Sequence, residues 1–340
     1  MIARRLTLAL ASGAVVLALA FAVSLALGSQ PVSLARALAG EEPDRAILIG
    51  LRLPRALLGA LVGCALAAAG VALQSLLRNP LAEPFVLGVS GGAALGGTLV
   101  LLAASAVGQV SGAAAGALAS GSPIALGAVA GAAAATVLVF SLGRIGGRLV
   151  PEAALLVGVV FNAFAAAVIT LVKVLVPPEQ AARLLYWLMG AIGYEAPGTL
   201  AAAAVLVALS IGALVALSGR LNLLALGDEE AASLGVDVGR DRALVLLAAS
   251  AATGAAVALS GLVGFVGLIV PHVLRRLLGP DHRVLVPACA LFGGAFLVLA
   301  DGAARALFVL LGTEPPVGAL TAFAGGPLFL YLLRRGDRAR

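Results

Sequence analysis

Arg78-Asn79-Pro80-Leu81-Ala82-Glu83-Pro84 and, far downstream, Gly261-Leu262-Val263-Gly264-Phe265-Val266-Gly267-Leu268-Ile269-Val270-Pro271-His272 decide how this chain is read. Both blocks set proline, glycine and charge at the edges of long apolar runs. Those are the places where a membrane helix stops, turns and restarts.

The 340 residues are 62% hydrophobic and 11% charged, with a mean hydropathy of +1.13. An ordinary soluble domain carries roughly 25% charged residues, and no soluble core absorbs this much apolar surface. Apolar runs of about 20 residues recur along the length, as a hydrocarbon core about 30 Å thick requires. A β-barrel would instead show alternating segments of about 10 residues. Alanine, leucine and glycine dominate here without alternation, so the fold class is an all-α polytopic membrane protein. Met1-Ile2-Ala3-Arg4-Arg5 followed by apolar residues to Leu27 exceeds the roughly 7–15 residues of a signal-peptide core, so a retained first helix is expected.

Ten spans are predicted, near 6–28, 55–77, 85–105, 122–142, 152–176, 199–218, 242–262, 264–279, 284–305 and 315–334, the eighth being short. An even number places both termini on one side. If that side is the cytoplasm, Arg4, Arg5, Arg78, Arg144, Arg148, Arg220, Arg240, Arg242, Arg275, Arg276, Arg283, Arg334, Arg335, Arg338 and Arg340 lie inside. Of the 22 basic residues, only Arg36, Arg45, Arg52, Arg55, Lys173, Arg183 and Arg305 then lie outside. This asymmetry follows the positive-inside rule, so the excess of 22 basic over 16 acidic residues reports orientation and not nucleic-acid binding. No soluble domain interrupts residues 1–340. The largest polar stretch, 219–242, reads as two short helices broken at Gly235, with Asp228, Glu229 and Glu230 suited to a helix N-terminus. It is either a solvated connection or a surface that a cytoplasmic partner grips.

Small residues at spacing four, Gly59, Gly63 and Ala67, and again Gly127 and Gly131, suit close helix packing in lipid. Gly88-Val89-Ser90-Gly91-Gly92 lacks a nearby lysine and reads as packing, not a phosphate loop. The two cysteines, Cys64 and Cys289, lie inside spans and read as buried thiols. No Gly-x-x-x-x-Gly-Lys-Ser/Thr occurs and the one lysine is Lys173, so the P-loop route to ATP hydrolysis is missing. Most acidic residues fall at predicted helix ends or in loops, which leaves little for an ion-coupled transporter to use. Asp301 is the main exception. Arg305 follows it by four residues, which allows an i,i+4 pair; the competing reading has Arg305 facing outward to a partner. His272 and His282 have no matching ligand cluster and read as local hydrogen-bonding groups. No nucleophile, base and orienting group can be assembled into an enzyme.

Further blocks sit between these. Arg52-Leu53-Pro54-Arg55 opens the second span, and Gly70-Val71-Ala72-Leu73-Gln74 precedes the Arg78 block. Gly88-Val89-Ser90-Gly91-Gly92-Ala93, Gly279-Pro280-Asp281-His282-Arg283 and Glu314-Pro315-Pro316-Val317-Gly318-Ala319-Leu320-Thr321-Ala322 follow. In this order they resemble the permease family of ABC importers for vitamin B12, iron-siderophores and haem, along nearly the whole chain. The resemblance implies a type II importer permease fold of ten helices in the bacterial inner membrane, forming a homodimer around a central pathway. It implies two cytoplasmic ATPase subunits, which use ATP and Mg, and one periplasmic binding protein; this chain binds no cofactor. Positions matching Arg52, Arg55 and Arg305 accept acidic residues of the binding protein in the family. The 222–240 segment resembles the coupling helices that sit in a groove of each ATPase, with Asp228, Glu229, Glu230, Ala231, Ser233, Leu234, Gly235 and Val236 as contacts. Asn79 and Leu81 match the cytoplasmic gate, and Pro151 and Glu152 its second half, where this chain lacks the small hydroxyl residues of some members. Phe161, Asn162, Thr170 and Thr321 are expected to line the pathway. The implied cargo is a large metal chelate: iron-siderophore first, haem or cobalamin next. The rival readings are an ion-coupled secondary transporter and a structural or receptor-like membrane protein.

Overall fold

The computed structural model describes residues 2–28, 30, 32–108, 122–146 and 148–336. Among the described residues, seven helical segments are long and apolar enough to cross a bilayer. They are α1 (Ile2–Ala26), the continuous Ala46–Leu76, α5 (Ser122–Leu142), α6 (Pro151–Leu175), α8 (Pro197–Ala216), α11 (Val238–Ser260) and α13 (His282–Leu311). Ala46–Leu76 begins as a π-helical turn, Ala46–Arg52, and continues as α3 (Leu53–Leu76). Three further helices, α4 (Val89–Gly108), α12 (Val266–Leu278) and α14 (Val317–Gly336), complete the ten expected from the sequence. Short helices α2 (Leu34–Ala39), α7 (Pro178–Leu188), α9 (Ser218–Leu224) and α10 (Asp228–Ser233) lie in the connections. A two-residue hairpin pairs Arg144 with Leu149 and Ile145 with Arg148. Arg338 and Arg340, counted above among the inner charges, fall outside the described residues.

The bundle has a proximal end, where α1 begins, and a distal end, where it finishes. Central to it is α3, buried on nearly every face from Ala65 to Leu76 and packed against α11, α12 and α13. α1 lies on α13, α4 lies on α5 and α6, and α8 lies on α11. Lipid tails are as apolar as leucine, so packing holds such helices together. The small-residue stripes provide it: a Cβ added to Gly63 would stand 2.2 Å from the Gly293 carbonyl, and one added to Gly131 2.1 Å from that of Gly92.

Two of the ten helices differ from full-length expected spans, one in length and one in where it begins. α12 has 13 residues, about 20 Å at 1.5 Å per residue, and begins where Gly267 meets Gly70, well inside the length of α3. α4 begins at Val89, later than the predicted 85–105, because residues 79–88 run back into the bundle without forming a helix. Non-helical backbone at membrane depth needs partners within the protein. Asn162 Nδ2 donates to the Phe85 carbonyl (2.6 Å), and the Val86 amide donates to the Glu83 carbonyl (3.0 Å). Phe265, at φ 69°, precedes α12, and its amide donates to the Glu83 carboxylate. The two blocks that fix the reading of the sequence are thus bonded to one another across 182 positions.

Candidate functional site

At the distal end, the three arginines expected to dock a partner have different fates. Arg52 is buried (5% exposed), and its guanidinium donates to the carbonyls of Leu25 (2.6 Å), Ala26 (3.2 Å) and Gln30. Arg305 is buried as well and donates to the carbonyls of Ser24 (3.0 Å) and Leu27 (3.1 Å). The last carbonyls of a helix have no partner in the helix itself and favour cations, and these two arginines cap the end of α1. Neither is presented outward, which corrects the outward placement of Arg52 and Arg305. The Asp301–Arg305 i,i+4 pair does form, with Arg305 Nε 3.2 Å from Asp301 Oδ2. Arg55 alone of the three reaches the surface, with 24% of its side chain exposed. It already holds Asp301 in a fork (2.9 and 3.1 Å) and Glu314 at 2.9 Å.

At the proximal end, Asn79 turns the chain after α3. Its Oδ1 accepts from the Leu81 amide (2.9 Å), and its own amide donates to the Gln74 carbonyl (3.0 Å). Leu81 is exposed. Arg78, beside Asn79, lines a cavity of about 480 Å³ together with Leu149, Pro151, Glu152 and Asp228. The two segments expected to form a gate therefore share one cavity wall with the first residue of α10.

The 219–242 stretch has two breaks where one was expected: Gly227 (φ 141°) separates α9 from α10, and Gly235 (φ 83°) separates α10 from α11. Glu229, Glu230, Ser233, Leu234 and Gly235 are exposed, Ala231 is buried, and Asp228 and Val236 are half-buried. Leu226 and Leu234 project from this segment, outside the spans, at 62% and 59% exposure. α10 is tethered through Asp228, which accepts from Arg78 Nη2 (2.7 Å) and from Arg242 Nη2 (2.6 Å) and Nη1 (2.9 Å). α9 is held by Asn222, which donates to Asp281 (2.7 Å) and accepts from the His282 amide (2.9 Å). Partial burial pushes the Asp281 carboxyl up, but the hydrogen bonds from Asn222 and the Arg283 amide, with the Arg283 charge, outweigh it and hold the group below the usual carboxylate range.

Of the residues expected to line a pathway, Phe161 and Asn162 are half-buried and Thr170 is exposed on α6. Thr321 is a correction: it is 1% exposed, and its hydroxyl donates back to the Gly318 carbonyl (3.0 Å). The sequence reading missed Glu83, Glu314 and the pairing of Arg242. Glu83 carried a signal, since a carboxylate between two prolines inside an apolar stretch needs a partner. Arg242 and Glu314 carried none, because their partners lie 14 and 259 positions away.

A profile of the FecCD transport family matches residues 16–335. The cobalamin import system permease protein BtuC of Halobacterium salinarum is 43% identical over 85% of this chain and 73% of its own length. The hemin transport system permease protein HmuU of Yersinia pestis is 41% identical over 86% and 85%, and the Fe(3+)-citrate import system permease protein YfmD of Bacillus subtilis 37% over 86% and 83%. These relatives are permeases of transport systems, not enzymes. A solved chain described as an inward-facing ABC transporter of metal-chelate type superposes with a TM-score of 0.81 at 30% identity, covering 96% of this chain and 98% of that one. With the profile and the relatives spanning most of its length, the chain belongs to the FecCD transport family.

Proposed function

We propose that the chain is the membrane permease subunit of an ATP-driven importer, passing a large metal chelate from a binding protein on the distal side to the cytoplasm on the proximal side. A ferric siderophore is the first candidate cargo; haem and cobalamin follow. In this reading the subunit pairs with a second copy in the bacterial plasma membrane, with both termini cytoplasmic, and two ATPase subunits engage the 219–242 segment. The observation that carries it is the projection of Leu226 and Leu234 from a short, acid-capped segment beyond the spans. Exposed apolar groups rimmed by polar ones mark a surface that a partner covers. In a chain without an ATP-binding motif, that partner is where the energy enters. Docking of the binding protein falls to Arg55, the one distal arginine of the three with an accessible side chain.

The test is uptake into proteoliposomes holding this chain and its ATPase, with binding protein outside and ATP inside. Ferric siderophore, haem and cobalamin are offered in turn. Accumulation of one solute that needs both ATP and binding protein is the expected result. Uptake that follows an ion gradient without ATP would replace this reading with the ion-coupled one. No ATP-dependent uptake by an intact, ATP-hydrolysing complex would overturn the cargo class.

A further inference from the structure

We propose that Arg242 is the positioning residue of an ionic joint that ties α10 to both halves of the proximal gate, so that movement of the coupling segment reaches the two halves together. This rests on the reading of α10 as the ATPase contact.

Arg242 sits in the first turn of α11 and is 1% exposed, so it touches no partner subunit itself. Its Nη1 donates to the Leu149 carbonyl at 2.8 Å and to Asp228 Oδ2 at 2.9 Å, and its Nη2 donates to Asp228 Oδ1 at 2.6 Å. The same Oδ1 accepts from Arg78 Nη2 at 2.7 Å. One guanidinium thus holds α10 by its first residue and holds the hairpin two residues before Pro151. Through the shared carboxylate it also reaches Arg78, the residue before Asn79. These segments are far apart in sequence, and their side chains line one cavity.

Charge-assisted bonds of this length are directional. A shift of α10 by about 1 Å either breaks them or draws Leu149 and Arg78 with it. The fork also has a vacant seat. Arg242 Nε is buried and has no hydrogen-bond partner, while both terminal nitrogens are occupied. A carboxylate that moves from the Nη1–Nη2 edge to the Nη2–Nε edge makes two bonds again on arrival and leaves Nη1 to Leu149 alone. Two bidentate seats on one rigid fork give the joint two discrete positions, which a coupling element needs and a point charge does not supply.

The experiment uses the complete complex of permease, ATPase and binding protein in proteoliposomes, with whichever of ferric siderophore, haem or cobalamin the uptake assay identifies. It reads cargo imported per ATP hydrolysed, which a merely structural ion pair would not move in a complex that assembles. Arg242→Lys keeps the charge but lacks the fork, and is expected to lower that ratio at least about fivefold while the ATPase still co-purifies. Arg78→Gln, at an exposed side chain that does not threaten folding, is expected to lower it about twofold, and the double variant no further than Arg242→Lys alone, because both act through Asp228. Leu234→Glu, on the exposed face of the segment, is expected to release the ATPase. Retention of the ATPase by Leu234→Glu would overturn the coupling reading itself. A parental ratio in Arg78→Gln and Arg242→Lys, with Leu234→Glu losing the ATPase, would overturn the joint alone. If Arg242→Lys fails to assemble, a parental ratio in Arg78→Gln still overturns it.

Discussion

Replacing Gly70 with alanine tests whether the start of α12 is held by direct contact of backbones. A Cβ at position 70 would stand 2.0 Å from the Gly267 carbonyl oxygen and 2.5 Å from its Cα, where ordinary contact begins at 3.4 Å. Overpacking a filled interior costs about 1–3 kcal/mol, and the upper end applies because backbone, not a flexible side chain, stands opposite. The Gly267 carbonyl also accepts from Gln74 Nε2 at 3.2 Å. Pushing α12 away strains that bond, worth about 1 kcal/mol more. The expected cost of about 3–4 kcal/mol corresponds to a fall of about 5 °C in melting temperature for a chain of this size. The assay is thermal unfolding of the purified protein in one detergent, beside Gly212→Ala. Nothing lies within 4 Å of a Cβ at Gly212, in the C-terminal quarter of α8, and alanine there gains up to about 1 kcal/mol from helix propensity. If Gly70→Ala melts with the parent while its fold is intact, the crossing is not the tight contact described.

Three further outcomes follow from the same geometry. Arg305→Gln strips the Ser24 and Leu27 carbonyls of their donor and leaves Asp301 short of a charge, a loss of about 3–5 kcal/mol; proteolysis near residues 24–30 should quicken, and unchanged cleavage would refute the cap. Glu83→Gln keeps an oxygen for the Phe265 amide, whereas Glu83→Leu orphans that amide at about 1–3 kcal/mol, so the leucine variant should melt well below the glutamine one; equal melting would show that the amide does not depend on this group. Glu314→Gln leaves Arg55 with Asp301 but frees its other arm, so affinity for the binding protein should rise a few-fold in surface plasmon resonance. Unchanged affinity would remove Glu314 as a competitor for that arginine.

Much of the architecture could be read in advance because membrane helices announce themselves locally. Length, hydropathy and small residues at spacing four gave ten helices, each of which the structure contains, and the Gly63 and Gly131 contacts follow from that spacing. What stayed hidden depends on distant partners. An arginine next to a predicted helix end reads as an outward charge, yet Arg52 and Arg305 turn inward because α1 ends beside them with unsatisfied carbonyls. The short helix α2, at six residues, and the start of α4 at Val89 were equally beyond periodicity, whereas α7, with 11 residues, carries an amphipathic pattern that went unread. The start of α4 is set by Asn162, 77 positions away from Phe85. Thr321 reads as a polar lining group, and only its bond to Gly318 shows that the hydroxyl is satisfied within its own helix.

The cap on α1 has a consequence for the order in which the molecule is made. α1 packs mainly on α13, and it is closed at its end by arginines at least 22 and 278 positions downstream of the carbonyls they satisfy. At about 5–20 residues per second of synthesis, the first helix waits for some tens of seconds before its principal neighbour exists. Over that interval its terminal carbonyls are served by headgroup water and by Arg52 alone. α1 is therefore locked in place only after α13 has been made, and a ribosome that stalls before α13 leaves α1 without its main neighbour.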